Sequence, residues 1–217
     1  MSESFNSPAN KFLQSQVYSL GEHRSLTDLP PGPERDFLTL TWGPLVFRTT
    51  YAPGSDRLFP LFLRVMNEAF RQALPSLDGS PEQLDMLQRT YSSKVFQENG
   101  LYADADPNTI REAFRDWKIS LGLPRMSLPV RLRMCLMVDD ESLADFTEVI
   151  DLSSSGKMGV DHSRCRVKLV ESLYPQERAE FSSTGWMTLT FDKLLEAYTK
   201  LQDGNLSDLA RDIRTIK

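Results

Sequence analysis

The stretch LTLTWGPLVFRTTYAPGSDRLFPLFLRVMNEAFRQAL, residues 38–74, decides the fold class. Its first third is rich in Thr, Val, Phe, Leu and Trp, residues that suit a pleated, half-buried surface. Side chains alternate across a strand, so Leu45, Phe47, Thr49 and Tyr51 point one way and Val46, Arg48 and Thr50 the other. Gly43-Pro44 marks a bulge or the true start of that strand. APGSD then turns the chain, and Ser55 or Asp56 can cap a helix from Arg57 onward. Leu58, Phe62, Val65, Met66, Ala69, Phe70 and Ala73 recur at helical spacing and form a buried face.

Downstream, Ser80-Pro81-Glu82-Gln83 has the cap, the first-turn proline and the partner of a capping box. It predicts a short helix at 81–87, followed by a strand over 88–97. Asp106-Pro107 opens a helix carrying Ile110, Ala113, Phe114, Trp117 and Leu121 on one face. VRLRMCLMVD (130–139) reads as a central strand because apolar residues dominate both of its faces. A short helix follows Asp139-Asp140, then strands at 165–172 and 185–191. Two helices carrying Leu194, Leu195, Tyr198 and Leu201, and then Leu209, Ile213 and Ile216, complete the pattern. This order predicts an α+β fold: an antiparallel or mixed sheet with helices mainly on one face, with a ferredoxin-like core as the closest simple template. Residues 1–36, polar and carrying four of the 13 prolines, read as a flexible or loosely packed arm ahead of a single α+β domain at 37–217. Phe12, Leu13, Val17, Tyr18 and Leu20 form an apolar cluster on that arm that could dock on the domain.

Composition narrows the function classes. At 40% hydrophobic and 25% charged, the chain has the balance of a globular protein. A net charge of −5 opposes general nucleic-acid binding, which shows a basic footprint. The N-terminal sequence lacks the basic-then-apolar pattern of a signal peptide, and no run reaches the roughly 18 apolar residues of a membrane span. The expectation is a cytoplasmic protein with no membrane or nucleic-acid partner. Its two cysteines, Cys135 and Cys165, read as reduced, buried thiols, able to bridge only if their strands are neighbours.

Few residue patterns point to chemistry. With only His23 and His162 and no cysteine cluster, no metal site and no cofactor are expected. SSSGKMGV departs from a phosphate-binding loop, since Met158 stands where Ser or Thr is required. His162 is the natural acid–base group near neutrality, with Asp139 and Tyr51 as the partners expected to face it across a cleft. The turn at Gly54 and Ser55 opens a helix N-terminus that can cradle an anion, with Arg48 on the strand before it. Arg131 and Arg133 share one strand face, and Arg164, Arg166 and Lys168 share another. If those strands pair, five cations line a patch for a carboxylate or phosphate.

The strand motif Trp42-Gly43 with Arg48, Thr49 and Tyr51 resembles that of a set of uncharacterised proteins from filamentous ascomycete fungi. The likeness extends to an IREAFRDW-like helix (110–117), an RLRMCLMVDDESL-like strand (131–143) and the Gly185-Trp186-Met187 strand. It implies a fungal, intracellular protein and supplies no established activity and no catalytic residue. Two functional readings follow. One is a binding module for an acidic small molecule or a protein partner. The other is a cofactor-independent isomerase, cyclase or lyase of fungal specialised metabolism, working from a shaped apolar pocket and one or two acid–base groups. Whether the chain is an enzyme, and its oligomeric state, stay open at this level.

Overall fold

Strand β1 (Leu45–Arg48) is buried along its whole length and sits inside the sheet, paired on both sides. The computed structural model describes residues 7–18, 29–123, 129–154, 160–172 and 185–215. Strands β2 (Lys94–Phe96), β3 (Met134–Val138), β4 (Arg166–Glu171) and β5 (Trp186–Thr190) join β1 in a five-stranded sheet of order β2-β1-β3-β4-β5. β1 is parallel to β2 and β3, whereas β4 is antiparallel to both β3 and β5. The fold is therefore α+β with a mixed sheet. The two parallel pairs separate it from a ferredoxin-like core at the level of strand order.

Each parallel pair needs a helical crossover. From β1 the chain returns through α3 (Ser55–Ala73) and α4 (Pro81–Thr90) on one face. From β2 it returns through the short α5 (Asn99–Tyr102) and α6 (Pro107–Ser120) on the other. The alternation in β1 divides the core accordingly. Val46 joins Phe62, Met66 and Phe70 of α3, while Leu45 and Phe47 join Ile110 and Phe114 of α6. The first face also carries α1 (Pro8–Leu13), α8 (Asp140–Ser154), α9 (Leu194–Lys200) and α10 (Leu206–Thr215); the second carries α2 (Pro33–Leu40). Helices thus lie mainly, though not solely, on one face.

Two glycines shape the entrance to this unit. Gly43 has φ 133°, and a Cβ there would meet the Ser92 carbonyl oxygen at 2.6 Å, so β1 and the approach to β2 can run this close only without a side chain. Gly54, at φ 89°, completes a turn in which the Ser55 N–H donates to the Ala52 carbonyl at 3.0 Å.

Part of the segment up to residue 36, the apolar face of α1, packs on the domain. Ala9 and Phe12 are fully buried, and the Ser7 hydroxyl donates to Gln83 Oε1 at 2.8 Å on α4. Two expectations further along the chain need correction. The helix after Ser80 runs to Thr90, so the strand that follows is only Lys94–Phe96. Its capping box is complete, and Trp42 Nε1–H donates to the Leu87 carbonyl at 2.7 Å, holding the final turn. Finally, residues 130–133 form a helical turn, α7 (Val130–Arg133), and β3 begins only at Met134. That turn lets the Arg131 guanidinium reach the carbonyls at the end of α2, as described below. Cys135 and Cys165 are buried free thiols. Although β3 and β4 are neighbours, Cys135 pairs with Val170, and the two cysteines pack in different halves of the core.

Candidate functional site

The chain leaves β1 for β2 across one face and reaches β3 across the other, so β1 and β3 form a topological switch point at their carboxyl ends. Loops part there, which makes it the usual place for a ligand in an open sheet with parallel crossovers. β4 is antiparallel to β3, so the amino end of β4 lies at the same rim. Arg48, Tyr51, Gly54, Ser55, Asp139, His162, Arg164 and Arg166 gather around this rim. Arg131 and Arg133 precede β3 and lie at the opposite end of the sheet.

That separation dissolves the five-cation patch. Arg131 is fully buried and donates to the carbonyls of Phe37 at 2.7 Å and Leu38 at 2.6 Å and to Thr41 Oγ1 at 3.0 Å. Its guanidinium also stacks 4.7 Å from the Phe37 ring centre. It ties the end of α2 to the sheet, supplying donors to carbonyls that a helix C-terminus leaves unpaired. Arg133 lies beside Glu171, and burial pushes its pKa down. Burial pushes the Glu171 carboxyl up, against the pull of Arg133 and Arg111. Neither arginine presents a fork to solvent ligands.

The anion-ready turn has its own internal tenants. Arg48 is 6% exposed and lies between the rings of Tyr51 at 4.6 Å and Phe59 at 4.9 Å. Its Nε–H donates to the Thr50 carbonyl at 2.9 Å, and Nη2 donates to Ser55 Oγ at 2.9 Å and to the Asp56 carboxylate. The Ser55 hydroxyl and the Asp56 carboxylate are thus used on Arg48, and the helix has Gly54 as N-cap with no side-chain bond. A buried guanidinium is costlier to leave unpaired than an exposed helix end is to leave uncapped, so Arg48 wins. Asp140 and Thr50 are joined side chain to side chain across the switch point, which places a second carboxylate there. The rim between β1 and β3 is therefore acidic, and it disfavours an anion.

The expected acid–base group does not assemble. Asp139 caps α8 by accepting from Ser142 N–H at 3.0 Å and Ser142 Oγ at 2.8 Å, and it pairs with Lys168. Burial alone would raise the Asp139 carboxyl, but the Lys168 and Ser142 bonds outweigh it and hold the group below its usual range. The Tyr51 hydroxyl donates to the Arg48 carbonyl at 3.2 Å, and burial raises its pKa, so it stays protonated at neutrality. His162 is half-buried in the turn 161–164, its carbonyl accepting from Phe191 N–H at 3.1 Å. Among the described residues no hydrogen bond joins its imidazole to Asp139 or Tyr51. His23 and the segment SGKMG, residues 155–159, lie outside the described residues. Among the described residues no three His, Cys, Asp or Glu side chains converge as metal ligands, and no helix is long and apolar enough to cross a membrane.

A concave site also lies at this rim. Asp145, Glu148 and Val149 of α8 and Ser163, Arg164 and Arg166 line a cleft of about 270 Å³. Arg166 is fixed there by a two-pronged pair with Asp145, Nε to Oδ2 at 2.6 Å and Nη2 to Oδ1 at 2.9 Å. Asp161 accepts from Ser163 N–H at 3.0 Å and Ser163 Oγ at 2.7 Å, which fixes the turn carrying Arg164. Arg164 itself is exposed, and among the described residues no hydrogen bond or ion pair engages its guanidinium. No family model, curated protein or solved structure matches the chain. The functional reading accordingly rests on the chemistry of these side chains.

A buried pair on the far side of the sheet escaped the sequence altogether. Lys118 of α6, 4% exposed, donates to the fully buried Ser172 Oγ at 2.6 Å, and its ammonium lies 4.9 Å from the Phe114 ring centre. The two residues are 54 positions apart, and no spacing rule joins them. Burial pushes the Lys118 amine from 10.5 down to about 8. Between those values the unfolded chain binds more protons than the folded one, so stability rises with pH across that window. The gain approaches roughly 3 kcal/mol by pH 10.5, at about 1.4 kcal/mol per unit. Urea melts of the wild type and of a Lys118→Met/Ser172→Ala variant, taken from pH 7 to pH 10, isolate this contribution, because tyrosine titration is common to both. The wild type should gain on the variant as pH rises; parallel curves would contradict a depressed Lys118.

Proposed function

We propose that the protein is a binding module that captures an acidic group of a protein partner in the cleft between α8 and the amino end of β4. Arg164 makes the primary contact. The observation that carries this reading is the disposition of its guanidinium: exposed, unengaged among the described residues, and set over a concave wall whose other cation is already paired. A free guanidinium offers a carboxylate or phosphate two parallel donors. Arg166 cannot do the same without surrendering Asp145, but its fixed side chain shapes the wall. The Ser163 hydroxyl borders the same space.

Size favours a partner's side chain over a whole small-molecule ligand. At about 270 Å³ the cleft falls just below the span of small-molecule pockets, roughly 300–1,000 Å³. A carboxylate or phosphate projecting from a protein surface needs only its own head group enclosed. Glu148 beside Arg164 adds selectivity, since it repels an acid placed one position off and welcomes a neighbouring base. The overall charge of −5 makes Arg164 a local exception and strengthens the case for a specific contact over general attraction.

The test is charge reversal. An Asp/Glu-rich peptide, or a phosphopeptide of the same length, titrated against the labelled protein should shift resonances of 161–166 and of α8. Arg164→Glu should weaken that binding about tenfold or more at low salt, with a smaller effect at high salt. Thermal stability should change little, because the side chain is exposed. Unchanged affinity in Arg164→Glu would overturn the assignment.

A further inference from the structure

Lys94 of edge strand β2 lies among aromatic rings contributed by three separate elements. Its ammonium lies 5.7 Å from the ring centre of Phe37 on α2, 5.7 Å from that of Phe96 on β2 and 5.8 Å from that of Trp117 on α6. Glu34, also on α2, closes the group, with Oε2 at 2.5 Å from Lys94 Nζ. The other Glu34 oxygen is buried and, among the described residues, has no hydrogen-bond partner. Each wall is braced from behind: Phe96 stacks on Phe47 at 4.4 Å, Trp117 on Phe114 at 6.1 Å, and Phe37 on the Arg131 guanidinium at 4.7 Å. Three ring faces and a carboxylate with a spare acceptor are the chemistry that holds an alkylated ammonium, whose charge is spread over carbon and prefers ring faces to water.

We propose that Phe37, Phe96, Trp117 and Glu34 form a recognition site for methylated ammonium groups, filled in cis by Lys94. Lys94 is a placeholder suited to exchange. Its side chain is 29% exposed and stands on a three-residue strand at the sheet edge. An incoming cation that displaces it takes over the ring contacts and the Glu34 pairing, and releases Lys94 to solvent. The tethered amine competes at an effective concentration in the millimolar range. The intact chain therefore binds such a ligand more weakly than a chain lacking Lys94. This site lies across the sheet from the Arg164 cleft and stands independently of it.

Choline is the probe, and 3,3-dimethyl-1-butanol is its neutral isostere. Lys94→Ala should bind choline, read from the Trp117 indole resonance, at least tenfold more tightly than the wild type, and the isostere should not bind. Adding Trp117→Leu to Lys94→Ala should abolish the response. A trimethyllysine peptide tested alongside distinguishes a protein-borne cation, which gains affinity from its flanking residues, from a free one, which does not. If Lys94→Ala fails to fold, the intact chain still decides the matter. Choline, and not the isostere, should accelerate acetylation of the Lys94 amine as followed by mass spectrometry. Equal effects of choline and its isostere, or no saturable response in either experiment, would overturn the proposal.

Discussion

Arg131→Met should cost about 3–5 kcal/mol of folding stability, read as a lower midpoint in urea at an unchanged slope. Methionine fills much of the same volume, so the loss does not come from a cavity. It comes from the buried Leu38 carbonyl, which loses the guanidinium, and from the Phe37 carbonyl and Thr41 Oγ1, which keep only the bond between them. The stack on Phe37 goes with them. The opposite outcome would be informative too. If Arg131 held a ligand, the variant would keep its stability and lose binding instead. Arg164 is the internal control, exposed and unengaged among the described residues, and its removal should move stability by no more than about 0.5 kcal/mol.

Trp42→Ala is expected to be as damaging, at about 3–5 kcal/mol. The indole is fully buried, with edge-on contacts to Phe12 at 5.0 Å, Tyr91 at 4.9 Å and Phe70 at 6.2 Å. It therefore holds together the amino-terminal segment, the first crossover helix and the approach to β2. Hydrogen exchange should localise the effect, with residues 7–18 losing protection before the central strands do. Trp42→Phe should cost less, because it keeps a ring and loses the bond from Nε1 to the Leu87 carbonyl and part of the indole's packing. Unchanged protection of residues 7–18 in Trp42→Ala would show that the amino-terminal segment does not depend on this contact.

Much of the fold was legible because its signals are local. Alternation sorted Leu45 and Phe47 from Val46, and the structure sets the first two against α6 and the third against α3. The capping box at Ser80 and Gln83 is present in both halves. What misled was local propensity set against a distant demand. Residues 130–133 look like the start of a strand, yet Arg131 must reach carbonyls more than 90 positions away, and a helical turn takes it there.

The candidate site was less legible for a related reason. Sequence singles out charged residues but does not say which charges are already paired. Arg48 looks like a ligand-binding arginine until Asp56 and Ser55 are seen on it, and Asp139 looks like an acid–base partner until Lys168 and Ser142 are. Arg166 is committed to Asp145, a residue 21 positions earlier. Strand direction mattered as much. The antiparallel β3–β4 pairing sends Arg131 and Arg133 to one end of the sheet and Arg164 and Arg166 to the other, and no composition or spacing reveals that.

The most direct measurement follows the arginine side chains themselves. In a protein with labelled arginine, the Nε–Hε resonances of Arg48, Arg131, Arg133, Arg164 and Arg166 can be watched while an acidic peptide is added. Arg164 should shift most, Arg166 less, and the other three should stay in place because Arg48 Nε is bonded to the Thr50 carbonyl and the Nε groups of Arg131 and Arg133 are buried. A response centred on Arg131, Arg133 or Arg48, with Arg164 silent, would contradict the account.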